Sequence, residues 1–197
     1  EGKVQHRVML TRIFDGDKEV LAAEYMPLVQ QLGMADAWDR QLMTRIAALS
    51  ELWPEETLVI PLTMSSLLQR PFVLWLQNML LQCPKGQRKR FLFELAEADV
   101  CQHINRLTPV FRALKAFGCR VAVNQAGLTV VSSAYIRQLP LELIKLDAGL
   151  VRNIERRTEN QLFVQSLLEV CKSTGIQVFA TGVRTRSEWQ TDRKSVV

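Results

Sequence analysis

Short apolar runs alternate along this chain with longer segments whose apolar residues recur at helical spacing. The runs are rich in Val, Ile, Leu and Phe, and most are unbroken, which is typical of parallel strands that are covered on both faces. They predict six strands, which cover residues 8–14, 58–63, 90–95, 119–124, 141–146 and 176–180.

Helical periodicity fills the intervals between these predicted strands. One apolar stripe covers residues 107–117 and is followed by Gly118, and another covers residues 163–171 and is followed by Gly175. Glycine directly after the last periodic residue is a common helix stop. A third helical pattern covers residues 34–53. Repeated strand-helix units predict an α/β fold, either a β/α barrel or a doubly wound sheet.

The composition is that of one ordinary globular domain. Of the 197 residues, 48% are hydrophobic and 23% are charged, and no low-complexity tract or linker interrupts them. No apolar run approaches the roughly 20 residues that cross a bilayer, and the first residues lack a signal-peptide pattern, so we expect a water-soluble stretch. The cysteines have no paired spacing, which favours reduced thiols in the cytosol; they are Cys83, Cys101, Cys119 and Cys171.

Charge is distributed unevenly between the two ends of the chain. Residues 1–66 hold six Lys and Arg against ten Asp and Glu, a net charge of −4, whereas residues 67–197 have a net charge of +9. Basic residues can attract RNA phosphates, although solvated helix ends and loops are the commoner explanation. The candidate RNA contact consists of Lys85, Arg88, Lys89 and Arg90. Further basic clusters consist of Arg152, Arg156 and Arg157, and of Arg184, Arg186, Arg193 and Lys194.

Polar residues stand at the ends of two consecutive predicted strands and together form a sequence motif. The segment Glu94-Leu95-Ala96-Glu97 ends one strand, and Val121-Ala122-Val123-Asn124-Gln125 ends the next, with a long amphipathic helix between them. This arrangement resembles the EAL family, whose members hydrolyse cyclic di-GMP with two metal ions. The resemblance covers residues 4–190 in matching order. It implies a modified TIM-type (β/α) barrel, in which the working residues lie at the C-terminal ends of the strands.

The resemblance also shows where the chain departs from the family's metal ligands. The segment Val8-Met9-Leu10-Thr11-Arg12 stands where the family has Glu-x-Leu-x-Arg, so an apolar Val8 replaces the first ligand while Arg12 is kept. Pro61 stands at the position of a ligand Asn, and the amides Asn124 and Gln125 stand at the positions of the paired Asp residues. Divalent cations of this kind need oxygen ligands, and neutral amides coordinate them weakly.

A similar loss affects the last predicted strand. Thr181 and Arg184 stand where the family has two Glu residues, whereas Glu94 and Lys145 match the family's set. Two-metal hydrolysis requires several carboxylates around two cations. The resemblance therefore implies a degenerate phosphodiesterase that lacks most metal ligands, has no catalytic residue and binds no metal or other cofactor.

The surviving polar residues have structural alternatives. Glu94 can form a salt bridge with Lys145 across the barrel mouth, or it can remain as a residual metal ligand. Arg12 can hold a phosphate, or it can satisfy Glu94 or Glu97. Glu97 and Asp99 sit where a helix is predicted to begin, and negative charge is favourable at that end of a helix.

The segment after Asn124 is more apolar than the glycine-rich loop of active family members. Leu128, Val130 and Val131 either fold back onto the barrel or form a surface for a partner; the sequence leaves both alternatives open.

Within the family, the chain closely resembles regulators of small-RNA decay in the carbon storage system of enteric bacteria. Residues 94–104, 121–128, 150–162 and 180–190 carry this similarity. It implies a cytoplasmic domain of an inner-membrane-anchored protein that promotes decay of regulatory small RNAs through the ribonuclease E pathway. It also implies binding to the glucose-specific EIIA phosphotransferase protein. Direct contact with small RNA is a further expectation, whereas no membrane contact by this stretch is expected.

Two other functions stay open. The chain can be a receptor that binds cyclic di-GMP without cleaving it, or, least favoured, an active phosphodiesterase. We expect residues 1–190 to form a barrel that is incomplete at both ends, with residues 191–197 as a non-native tail. Unpaired strand edges at such ends would allow a homodimer.

Overall fold

A computed structural model describes residues 6–128 and 133–188. The chain divides into two compact units. The first contains residues 1–94 and 113–120, and the second contains residues 95–112 and 121–197. The predicted tail, residues 191–197, lies outside the described residues.

Parallel strands form the centre of the first unit. β1 (His6–Val8), β4 (Thr57–Pro61) and β5 (Phe91–Ala96) lie side by side in that order. Residues 58–60 and 91–95 are buried, as the unbroken apolar runs predict for strands that are covered on both faces. The predicted strands over residues 58–63 and 90–95 are therefore confirmed, and each of their ends agrees with the structure to within two residues.

The predicted strand over residues 8–14 is wrong as a single element. β1 ends at Val8, and a separate antiparallel pair follows, formed by β2 (Ile13–Asp15) and β3 (Lys18–Val20). The cause is the turn between β2 and β3, where Gly16 adopts a φ of +60° that favours glycine. The chain therefore reverses and pairs with itself instead of continuing β1.

Helices account for most of the remaining chain in the first unit. Their apolar faces bury residues such as Met43, Phe72 and Leu80. The predicted helix over residues 34–53 is confirmed as one helix followed by a short 3-10 turn. The helices are α1 (Ala22–Gln31), α2 (Ala35–Leu49), α3 (Met64–Leu67), α4 (Arg70–Gln82) and α5 (Lys85–Arg88).

The second unit repeats the strand-helix pattern. Its parallel strands, in spatial order, are β6 (Arg120–Ala126), β7 (Leu143–Leu146) and β8 (Gln177–Phe179). Its helices are α6 (Glu97–Gln102), α7 (Ile104–Ala116), α8 (Tyr135–Gln138), α9 (Ala148–Val151) and α10 (Thr158–Thr174), and α7 runs from the second unit into the first. In the parts of the chain that the structure describes, none of the helices combines the length and the apolar character that spanning a membrane requires.

The predicted helix stops are confirmed. Gly118 follows α7 with a φ of +85°, and Gly175 caps α10 with a φ of +73°. The stripe on α7 buries Leu107, Phe111 and Leu114, as its spacing predicts. On α10 the first predicted core residue differs, because Phe163 is 42% exposed and Val164 is buried in its place.

All four cysteines are free thiols. Burial raises the pKa of Cys119 to about 12 and that of Cys171 to about 11. Burial and the nearby Glu97 raise the pKa of Cys101 to about 11. Since the thiolate is the reactive form, these side chains are poor nucleophiles near neutral pH.

Candidate functional site

Three of the predicted site positions lie at strand ends in the first unit. Val8 ends β1, Pro61 ends β4, and Glu94 lies near the end of β5, directly opposite Pro61 in the register of the parallel strands. The Glu94 side chain is buried, whereas Val8 is 42% exposed. The carboxyl ends of these strands therefore place one carboxylate beside two residues whose side chains offer no ligand oxygen.

Arg12 is held by Glu19 rather than by the strand ends. Its Nε donates a hydrogen bond of 2.7 Å to Glu19 Oε1, and its Nη2 donates to Glu19 Oε2. The expectation that Arg12 satisfies Glu94 or Glu97 is therefore wrong, because the β2–β3 hairpin brings Glu19 to it. The paired hydrogen bonds raise the pKa of Arg12 and lower that of Glu19.

A cavity of about 700 Å³ opens beside Arg12 in the first unit. Residues 10–12 and 61–63 form part of its wall, and side chains from α1 and α2, including Tyr25 and Trp38, form the rest. The Tyr25 hydroxyl donates to the Thr11 carbonyl at 2.9 Å, which fixes one edge of the wall. The cavity is lined mainly by apolar side chains, with the Arg12–Glu19 pair among its few charged groups.

Asp39 is a buried carboxyl in that cavity wall, for which the sequence pattern predicted no role. Its Oδ2 accepts hydrogen bonds from Thr63 N at 3.0 Å and from Thr63 Oγ1 at 2.6 Å. Burial raises the pKa of Asp39, although these hydrogen bonds oppose the shift. A signal was present in the sequence, because Asp39 falls at helical spacing between the buried residues Ala35 and Met43.

The amide pair lies at an irregular strand end in the second unit. The register between β6 and β7 shifts between Val123 and Ala126, and Gln125 adopts a positive φ of +53°. Such a bulge redirects side chains at the end of a strand. The Asn124 side chain is partly buried, and Gln125 is exposed.

The other predicted site positions of the second unit lie on β7 and after β8. Lys145 is a buried residue of β7, and Arg184 is exposed. The Thr181 hydroxyl donates to the Leu146 carbonyl at 2.6 Å, so its side chain is engaged with the backbone of β7. Glu94 belongs to the first unit and Lys145 to the second, and their salt bridge stays a prediction.

Glu97 acts as a buried clamp at the start of α6. Its Oε2 accepts a hydrogen bond from Gly127 N, and its Oε1 accepts one from the Tyr135 hydroxyl, each at 2.7 Å. Burial and this hydrogen bond raise the pKa of Tyr135. The sequence indicated the helix start at Glu97, which is confirmed, but gave no signal for Tyr135, because a long-range partner of this kind has no fixed spacing.

The predicted partner loop is described only in part. Leu128 is 56% exposed, directly after the clamped Gly127, whereas Val130 and Val131 lie outside the described residues. The exposure of Leu128 is compatible with a partner surface, and the choice between the two alternatives for the loop stays open.

The candidate RNA cluster in the first unit is only partly exposed. Lys85 and Lys89 are exposed, whereas Arg88 is partly buried. Arg90 donates through Nη1 to the carbonyls of Ser50 and Trp53, which ties its guanidinium to the chain. Two lysines therefore remain as the freely presented cations of this cluster.

Three side chains at the positions that the resemblance matches to metal ligands offer no oxygen to a divalent cation. Val8 and Pro61 carry no donor atom in their side chains, and Arg184 carries a positive charge. Within residues 6–128 and 133–188, no group of three or more His, Cys, Asp and Glu side chains is arranged to hold a metal ion.

Comparison with known proteins identifies the closely related sequences. An EAL domain model matches residues 1–195. The RNase E specificity factor CsrD of Escherichia coli K12 is 59% identical over 191 residues, which are 97% of this chain and 30% of that protein. The cyclic di-GMP phosphodiesterase PdeB of Shewanella oneidensis MR-1 is 24% identical over 93% of this chain and 22% of its own length. The chain thus spans less than a third of these relatives.

Solved structures share the fold. The Vibrio cholerae LapD S helix-GGDEF-EAL structure bound to c-di-GMP has a TM-score of 0.90 at 18% identity, over all of this chain and 48% of that one. The PaMucR phosphodiesterase in complex with c-di-GMP has a TM-score of 0.86 at 15% identity, over 98% of this chain and 81% of that one. The predicted α/β fold of the modified TIM-type barrel is confirmed, and the chain belongs to the EAL domain family.

Proposed function

We propose that this chain is a non-catalytic regulatory EAL domain that promotes ribonuclease E-dependent turnover of regulatory small RNAs. The observation that carries the proposal is the 59% identity to the RNase E specificity factor CsrD over 97% of the chain. On this proposal the chain is the cytoplasmic part of an inner-membrane-anchored protein and acts as an adaptor through protein contacts. Ribonuclease E cleavage of a small RNA, with and without the chain joined to its flanking domains, tests the proposed activity; equal cleavage rates would contradict it.

The chemistry of the strand ends supports the absence of catalysis. A two-metal site lowers the pKa of a bound water and neutralises the phosphodiester, and both effects require several anionic ligands. The side chains of Val8, Pro61 and Arg184 cannot supply them. We expect no hydrolysis of cyclic di-GMP in the presence of magnesium or manganese. Linear dinucleotide product that disappears in a Glu94→Gln variant would overturn this part of the proposal.

The proposed protein partner is the glucose-specific EIIA phosphotransferase protein. Phosphorylation adds about −1.5 to −2 charges at neutral pH, so an apolar contact rimmed by charge would distinguish the two forms of EIIA. Leu128, which is 56% exposed, is the candidate apolar contact among the described residues. We expect the unphosphorylated form to bind and the phosphorylated form to bind much more weakly.

Titration of labelled EIIA into the chain tests this contact. Leu128→Asp should weaken binding, whereas Leu162→Asp is a matched control, because Leu162 is similarly exposed at 61% and lies on α10 of the same unit. Equal affinity for both forms of EIIA would remove the phosphorylation switch. Equal effects of the two substitutions on EIIA binding would show that Leu128 is not the contact.

The cavity beside Arg12 supports a second candidate function, a receptor that binds cyclic di-GMP without cleaving it. Its volume, about 700 Å³, is within the range of small-molecule sites. Glu19 already accepts from Nε and Nη2 of Arg12, so a phosphate that binds the same edge of the guanidinium would have to displace Glu19. Calorimetry with and without magnesium tests the alternative. Binding by wild type that Glu19→Gln strengthens and Arg12→Ala abolishes would favour the receptor over the adaptor.

A further inference from the structure

Glu188 joins two segments of the second unit that are far apart in the sequence. Its Oε1 accepts a hydrogen bond from Asn153 N at 2.8 Å, and its Oε2 accepts from Arg184 N at 2.8 Å and Thr185 N at 3.1 Å. The carboxylate is buried, at 2% exposure. These N–H donors hold the pKa of Glu188 below its ordinary value, so the group stays ionised at neutral pH. One carboxylate thus bridges the backbone of residues 153 and 184–185.

Two further contacts align the same segments. Thr181 donates its hydroxyl hydrogen to the Leu146 carbonyl at 2.6 Å. Gly182 approaches α9 so closely that a Cβ atom placed on it would lie 2.7 Å from the Cβ of Ala148. Real Cβ atoms do not approach this closely, so the close packing requires glycine here. The chain after β8 therefore runs along the segment from the end of β7 to residue 153, with contacts at three points.

These aligned segments carry two of the basic clusters that are separate in the sequence. All five arginines are exposed, and the only acidic residue within the two stretches 152–157 and 184–186 is Glu155, which contacts Arg156 at 3.7 Å. Within the described part of the chain, none of the other four has an ion pair with an acidic side chain. We call these residues the arginine surface; they are Arg152, Arg156, Arg157, Arg184 and Arg186.

We propose that the arginine surface binds the phosphate backbone of RNA, and that Glu188 acts as the positioning residue that assembles it from two segments. The proposal rests on the proposed role in RNA turnover and names the RNA-binding site for it. Several exposed arginines on two joined segments suit a polyanion, because each guanidinium presents a planar fork of donors to phosphate oxygens. The arginines are exposed, on short helical turns and on the residues beside them, and such an open surface favours a chain of phosphodiesters over a small nucleotide.

The basic cluster at residues 85–90 is a weaker candidate for the RNA contact than the arginine surface. Arg90 is committed to backbone carbonyls and Arg88 is partly buried, which leaves Lys85 and Lys89. Lysine presents a strongly hydrated point charge and has no fork geometry. We therefore expect the arginine surface to contribute more to RNA binding than this cluster does.

Two double variants with the same charge change test the location of the site. Arg157→Ser with Arg184→Ser removes one cation from each segment of the arginine surface, and Lys85→Ser with Lys89→Ser is the control. Binding of a labelled single-stranded RNA is measured by anisotropy over a series of salt concentrations. Each lost phosphate contact makes the negative slope of log K against log salt shallower by about 0.7, so the arginine pair should reduce its magnitude by about 1.4. The lysine pair should change it much less.

Glu188→Gln tests the positioning role of Glu188, because that role predicts an effect on RNA binding opposite in sign to the effect of net charge. The substitution makes the chain more positive by one charge, so an effect of net charge alone would strengthen RNA binding. Gln keeps one acceptor oxygen and turns the other into an NH2 donor, so it cannot accept from both Asn153 N and the N–H groups of residues 184 and 185. The positioning role of Glu188 therefore predicts weaker RNA binding and faster hydrogen exchange in at least one of the two joined segments. Tighter RNA binding by Glu188→Gln would refute the positioning role of Glu188.

The remaining outcomes separate this inference from the proposed function. Equal effects of the two double variants, or RNA binding that excess cyclic di-GMP abolishes, would overturn the arginine surface as an RNA site. Absence of RNA binding by the wild-type chain would also overturn it, while an adaptor that works through protein contacts would survive. Cyclic di-GMP hydrolysis by the same preparation would instead contradict the proposed function.

Discussion

Asp39 places a carboxyl group in the wall of the cavity beside Arg12. Burial raises its pKa in the folded chain above the ordinary value of 3.8. Folding therefore disfavours the ionised form, and the associated loss of stability grows as pH rises above 3.8 through the folded pKa. Below that range the carboxyl is protonated in both states and contributes no such loss.

Replacing Asp39 with Asn should remove this dependence on pH. We expect the free energy of unfolding of Asp39→Asn, relative to wild type, to increase between pH 4 and pH 7, because the variant has no charge to desolvate. Urea denaturation at several pH values measures the difference. A difference that stays constant over this range would contradict the raised pKa.

Gly127 is required by both its backbone and its surroundings. Its φ is +81°, and a Cβ atom placed on it would clash with Leu150 and lie 2.8 Å from Phe163 Cε1. We therefore expect Gly127→Ala to lose free energy of unfolding for two reasons. Overpacking should cost about 1–3 kcal/mol, and the positive φ should cost about 1–2 kcal/mol more. Gly33→Ala is the control, since Gly33 has a φ of +67° and no atom near the added Cβ. Equal losses in thermal or urea denaturation would show that Gly127 has only its conformational requirement.

The start of α6, the end of β6 and the start of α8 meet at the Glu97 carboxylate. Tyr135→Phe removes one buried hydrogen bond to a charged group, so we expect a loss of about 1.5–3 kcal/mol in the free energy of unfolding. Tyr25→Phe is the control, because Tyr25 donates to a neutral carbonyl at 2.9 Å and should cost about 0.5–1.5 kcal/mol. A Tyr135→Phe loss no larger than the control would indicate that Glu97 is satisfied mainly by Gly127.

The strands and helices were largely predictable from apolar periodicity, because β4, β5 and α7 bury the same faces that their spacing indicates. The hairpin of β2 and β3 was not, since a strand of three residues is too short to show alternation. The pairing of Arg12 with Glu19 depends on this hairpin, so it could not be predicted either. Glu188 could not be identified either, because its partners are backbone N–H groups, which place no requirement on the residue types at Asn153 or Arg184.

The family's motif located the site positions, but it could not predict how each new side chain is used. Thr181 and Arg184 stand where the resemblance places two Glu residues. The Thr181 hydroxyl donates to the backbone of β7, and Arg184 is exposed, with its backbone N–H donating to Glu188. Arg184 belongs both to the positions that the resemblance matches to ligands and to the arginine surface, so it links the proposed absence of catalysis to the proposed RNA contact.

Two-metal hydrolysis requires several ligands that act together, so restoring one of them should have no effect. Single variants that reinstate a family residue, such as Val8→Glu, Gln125→Asp or Thr181→Glu, should show no hydrolysis of cyclic di-GMP, because the metal ligands act as a unit. Gln125→Asp should fold normally, since Asp tolerates the positive φ of +53° at this position. Product formation and manganese binding by calorimetry are measured for each variant. Hydrolysis by any single variant would show that the remaining ligands are nearly sufficient, and the chain would then have to be regarded as an enzyme one substitution away from activity.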